Sequence, residues 1–193
     1  MRAGVVSVIV AAISPLLLGG CVTNDPYISM ATAKPVGNWK VERQADRITG
    51  TPMSSALLLS RNSAHSGDAF THPAALQLMC FKDQPIVRLA FEFKVGSNKN
   101  SVLGYRFDDK PGREIEARFL QDYKTAVIEK RADVAQFVSD LAASNLLYVR
   151  IRSLNAGRSS AEFNLEGAPT AIEAAYAGCP ISTEPSPKTA SAR

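Results

Sequence analysis

Residue types that carry most catalytic and metal chemistry are scarce in this 193-residue chain, which holds two histidines, three cysteines and one tryptophan. So few Cys and His, with His65 and His72 apart from the cysteines, do not make up the clustered four-ligand set of a tetrahedral zinc site. No glycine-rich loop leads into a helix to cradle phosphate, and no serine stands in a Gly-x-Ser-x-Gly elbow. No metal and no cofactor is therefore expected. The formal net charge is only +4, from 22 basic and 18 acidic side chains. That surplus is too weak to argue for nucleic acid as a partner. There is no charge block, no internal repeat, and no uninterrupted apolar run of the ~20 residues that a spanning helix needs.

What the chain does have is a short apolar run at its start. Arg2 is the only charge before Asp25, and Val5 to Leu18 is almost wholly apolar but broken by Pro15 and followed by Gly19 and Gly20. This is the architecture of an export signal. Leu18-Gly19-Gly20-Cys21 then resembles the lipobox of bacterial lipoproteins: an apolar residue, two small residues that let a peptidase approach the backbone, and a cysteine. The resemblance implies that residues 1–20 are a signal peptide that is removed, and that the Cys21 thiol takes diacylglycerol, with the new amino group acylated as well. Several acyl chains, at roughly 0.8 kcal/mol per buried methylene, anchor a protein far more firmly than one. Loss of Arg2 alone lowers the net charge from +4 to +3. Val22, rather than an aspartate, follows the cysteine, which under that family's sorting rule favours the outer membrane, facing the periplasm, over the inner one.

Residues 21–34 are rich in Thr, Ala, Asn and Pro without apolar periodicity, the composition of a flexible tether. Residues 181–193 read as a disordered tail of Ser, Thr, Pro and Ala. Between them, residues 35–180 are enough for one domain with its own core.

Inside that domain the dominant period is two. In Val87-Arg-Leu-Ala-Phe-Glu-Phe93 the apolar side chains share one face and Arg88 and Glu92 the other, a half-buried strand. Further strands are predicted at 55–60, 76–80, 102–107, 115–120, 125–130, 146–152 and 160–165, separated by turn signals such as Asp108-Asp109-Lys110-Pro111-Gly112. Two short helices interrupt them. Val134, Phe137, Val138 and Leu141 form the stripe of a helix lying on a sheet, with Asp133 and Gln136 spaced as a capping box. The second begins near Pro169 and repeats Ile172, Ala175, Tyr176 and Cys179. The expected fold is mainly β with two short helices, an antiparallel β-sandwich or open barrel in a single domain.

Once Cys21 is acylated, two cysteines remain, Cys80 at a strand end and Cys179 at the end of the last helix. In an oxidising compartment they are expected to form a disulfide, closing a loop of roughly 100 residues; two separate buried thiols are the alternative. His65 and His72 lie in a Ser-, Gly- and Asn-rich stretch that reads as a loop, and a nucleophile and base pair such as Ser63 and His65, two residues apart there, has the spacing of chance. Asp108, Asp109 and Asp122 can be imagined as the acid and base of a hydrolase, although the first two look like turn residues. Arg150 and Arg152 share one strand face, with Arg88 and Lys94 as possible neighbours: either an anion- or glycan-binding face or a solvated outer face. Trp39 reads as a packing residue opening the domain rather than a sugar-stacking platform.

Taken in order, Trp39, Leu76-x-Leu78-x-Cys80, the strand 87–93, Val102–Asp108, the helix around Phe137–Leu141, the strands 146–152 and 161–165, and the closing Ala171–Cys179 resemble the TagO and VasI type accessory proteins of type VI secretion. Where those relatives carry a Trp followed by Ser and Asp, residues 115–122 here have no Trp. The resemblance implies a small exported domain without a catalytic centre and agrees with the Cys80–Cys179 bond. The expected function is thus a noncatalytic envelope lipoprotein that reaches the membrane through lipid at Cys21 and binds an envelope protein partner. The competing expectation is a hydrolase acting on peptidoglycan or another envelope polymer.

Overall fold

The computed structural model describes residues 33–45, 48–50, 52–179 and 181. Its strands are β1 (Lys34–Val36), β2 (Trp39–Ala45), β3 (Pro52–His65), β4 (His72–Phe81), β5 (Gln84–Phe91), β6 (Ser101–Phe107), β7 (Arg113–Ile115), β8 (Arg118–Phe119), β9 (Thr125–Ile128), β10 (Leu146–Ser153) and β11 (Gly157–Asn164), with helices α1 (Arg131–Ala142) and α2 (Ala168–Ala175). Every ladder is antiparallel.

Across the sheet the strands run β7-β6-β10-β11-β3-β4-β5-β9-β8, and β2, paired with β1, lies along the first half of β3. The segment read as one strand at 115–120 is in fact two. Ile115 ends β7 at one edge of the sheet and Arg118 begins β8 at the other, with only Glu116 and Ala117 between them. A chain advances at most ~3.6 Å per residue, so this short crossing draws the two edges towards each other. The sheet curls into a half-barrel, the open-barrel form of the expected fold.

The inner face follows from the period of two. Leu76, Leu78, Val87, Leu89, Leu103, Leu147, Val149, Ile151 and Phe163 are all buried there. α1 lies on this face with Val134, Phe137, Val138 and Leu141 buried, as its stripe predicts. Phe137 meets the rings of Tyr105 and Phe107 edge-on, at centroid distances of 4.9 and 5.2 Å. The capping box does not form. Lys130 is the N-cap and makes no side-chain cap bond, Asp133 sits in the first turn where it favours the helix dipole, and Gln136 donates to Asp140 at 3.1 Å. α2 packs through Ala168, Ala171, Ala174 and Ala175, while Ile172 is only half-buried. It also ends before Cys179, which lies in a following turn whose N–H donates to the Tyr176 carbonyl at 2.9 Å.

Cys80 and Cys179 are bonded, with Cα atoms 6.1 Å apart. The bond pins the chain beyond α2 to the end of β4. Beside it the Tyr176 hydroxyl donates to the Ile86 carbonyl at 2.9 Å, and burial pushes that phenol far above its ordinary pKa. Trp39 is fully buried, the packing residue expected. Ile181, placed at the start of the tail by composition, is packed against the core.

Candidate functional site

On the outer face of β6, β10 and β11, residues directly opposite each other in the ladders form three rows. Arg106, Tyr148 and Glu162 make the first, Gly104, Arg150 and Ser160 the second, and Val102, Arg152 and Arg158 the third. Alternation along β10 thus projects Tyr148, Arg150 and Arg152 outward while Leu147, Val149 and Ile151 fill the core. Arg150 and Arg152 do share one face. Arg88 is not among their neighbours, because β5 lies three strands beyond β11 in the sheet order, and Lys94 stands 6.0 Å over the ring of Tyr123.

The two arginines grip one carboxylate oxygen. Glu114 Oε1 accepts from Arg150 Nη2 at 3.1 Å and from Arg152 Nη2 at 2.5 Å. Gly104 stands opposite Glu114 in the β6–β7 ladder, beneath this crossing. Beside the clasp, Gly104, Arg106, Tyr148, Arg150 and Glu162 line a cleft of about 690 Å³. A second hollow of about 680 Å³ adjoins Arg152 and Arg158 and is lined by Ser66 and Ser160. Arg106 and Arg158 make no ion pair among the described residues. The sequence signal for this face was the Arg-x-Arg alternation in β10; Tyr148, Glu162, Gly104 and Arg158 carried none, because their grouping comes from strands distant in sequence.

Neither histidine lies in a loop. His65 closes β3 and His72 opens β4, on either side of a turn, and both rings pack on Phe93, at centroid distances of 4.8 and 5.4 Å. His65 and Ser63 are not paired: His65 Nδ1 bonds the buried Ser159 hydroxyl at 3.0 Å, and Ser63 Oγ donates to the His72 carbonyl at 2.7 Å. His72 Nε2 meets Asp68 Oδ2 at 2.6 Å, and its Nδ1 lies 3.6 Å from Glu92. Among the described residues, no group of three or more His, Cys, Asp or Glu is arranged to hold a metal ion.

Two of the three candidate carboxylates are taken up by backbone N–H groups, Asp108 by those at the start of β10 and Asp122 by those of its own turn. Asp108, at φ 46°, accepts the N–H groups of Asn145 and Leu146 at 3.0 and 2.9 Å, and Asp122 accepts those of Lys124 and Thr125 and the Thr125 hydroxyl. Asp109 is exposed. Desolvation acts to raise the pKa of Asp108, but the bonds from Leu146, Asn145 and Ser144 outweigh it and hold the carboxyl below its ordinary value. A depressed folded value means that this stabilisation is present above the unfolded value of 3.8 and is lost as pH falls through the folded one. Asp108→Asn, which tolerates the same left-handed backbone, should therefore lose less stability on acidification than the parent. Urea midpoints at pH 7 and pH 3 check this, and equal losses in the two proteins would exclude it.

Cys21 lies outside the described residues. Among those described, no helix is long and apolar enough to cross a membrane. No family model, curated protein or solved structure matches the chain.

Proposed function

We propose that this protein is a noncatalytic envelope lipoprotein, anchored through lipid at Cys21 to the outer membrane on its periplasmic side, that presents its β domain to another envelope protein. The observation that carries the reading is Leu18-Gly19-Gly20-Cys21 at the end of a short apolar run, ahead of one compact domain. The Cys80–Cys179 bond supports it, since such bonds persist in the compartments beyond the inner membrane. The resemblance to the TagO and VasI type proteins makes components of a type VI secretion apparatus the first partners to seek.

The test is fractionation followed by mild crosslinking and pull-down from the native envelope, with Cys21→Ala as control. The parent protein should sediment with membranes, incorporate labelled palmitate and recover envelope proteins. Cys21→Ala should do none of the first two. A Cys21→Ala chain that stays labelled and membrane-bound would overturn the anchor, and recovery of nothing beyond lipoprotein-sorting machinery would overturn the binding role.

A further inference from the structure

We infer that the outer face of β6, β7, β10 and β11 docks an extended acidic segment of a protein partner, which displaces Glu114 from Arg150 and Arg152. The proposal gives the binding role above a surface and a ligand chemistry, and rests on that role for the partner being a protein.

Three observations carry it. First, the face already holds a carboxylate delivered by a strand: Glu114 reaches both arginines through a single oxygen from β7, a three-residue edge strand. All three side chains are solvent-exposed, so water screens the two ion pairs and leaves the carboxylate a replaceable occupant. Second, Arg152 and Arg158 stand directly opposite each other. Like charges so placed destabilise a sheet, and packing does not require them, because both point away from the core and are exposed. A ligand carrying negative charge relieves that repulsion. Third, the spacing favours a chain over a single small anion. Arg150 and Arg152, two residues apart on one strand, repeat at ~6.7 Å, and acids at alternate positions of an extended peptide repeat at the same interval. Tyr148 continues the row of outward residues along β10, and Glu162 beside it sets a limit, since an acidic run must end before reaching it.

The test titrates the full chain, in detergent, against a labelled ten-residue peptide of alternating Glu and Thr, with the matching Gln-Thr peptide and inorganic phosphate as the other arms. The Glu-Thr peptide should bind, and more weakly as salt rises. Glu114→Gln should tighten binding several-fold, and Arg150→Gln and the exposed Arg158→Gln should each weaken it about tenfold, with the thermal midpoint raised slightly by Arg158→Gln, which removes the like-charge pair, and not lowered appreciably by the other two. Equal binding of the Gln-Thr peptide, indifference to all three substitutions, or displacement by phosphate at concentrations matching the peptide would overturn the proposal. In the envelope pull-down, an Arg158→Gln chain that still recovers the parent's partner would remove this surface and leave the binding role standing. Failure of the parent itself to recover any partner removes the role instead.

Discussion

Removing the Cys80–Cys179 bond should cost the domain about 2–5 kcal/mol of stability, more than any single surface change. The two cysteines are separated by 99 positions, and in the chain-entropy model a loop of that length restricts the unfolded chain by close to 5 kcal/mol at room temperature. The loss should appear as a lower urea midpoint on reduction and, equally, in the Cys80→Ala/Cys179→Ala protein. Because Cys179 closes a turn packed against Tyr176 and the end of β4, the residues after α2 should exchange their amide hydrogens first. A midpoint that does not move on complete reduction, verified by thiol titration, would show that the bond contributes nothing.

Phe137→Ala should destabilise the domain by about 3–5 kcal/mol. Phe137 is fully buried and is the residue through which α1 meets the two aromatic rings of β6, Tyr105 and Phe107. Truncation loses the transfer of the ring from water and leaves a cavity that a helix held at both ends cannot collapse to fill. Gln136→Ala, one position earlier on the exposed side of the same helix, should change stability by no more than about 0.5 kcal/mol. Urea denaturation of the pair separates docking from helix propensity, since Ala favours the helix at both sites. Comparable small effects at 136 and 137 would mean that α1 is not a packed element.

Where side-chain period and burial coincide, the fold is legible in the sequence. Val87, Leu89 and Phe91 alternate with Arg88 and Ala90, and the strand is there, on the face predicted, but it ends at Phe91, and Glu92 and Phe93, read as its last residues, lie in the bend beyond it. The stripe Val134, Phe137, Val138 and Leu141 likewise faces the core. Legibility fails where long-range pairing overrides local composition. The stretch Asn62-Ser63-Ala64-His65 has the look of a loop, yet it is strand, because β11 supplies pairs to Ser63, Ala64 and His65 after a register shift between Ser60 and Ser63. Residues 115–120 have strand character throughout but change partners halfway, from β6 to β9, and only the curl of the sheet decides that. The outer arginine face was half visible: Arg150 and Arg152 show themselves by alternation, whereas Glu114, Tyr148 and Arg158 join them only through the ladders. Cys80 and Cys179 were legible because so few cysteines leave few ways to pair.

The sheet is mechanically unequal along its width. β7, β6, β10 and β11 form one wing, carrying the arginine face, and β4, β5, β9 and β8 form the other; β3 joins them, and its seam with β11 is only three rungs long, at Ser63, Ala64 and His65. A load applied between the arginine face and the chain entering at β1, which reaches β3 through β2, therefore crosses those three rungs. They are not its only path. From the end of β11 the backbone runs through α2 to Cys179 and, by the disulfide, into β4 on the far wing. That covalent strap bridges the seam on one side, and the two residues Glu116 and Ala117, which join β7 to β8, tie the outer edges of the wings on the other, so under tension the wings can part at the rungs but no farther than these two ties allow.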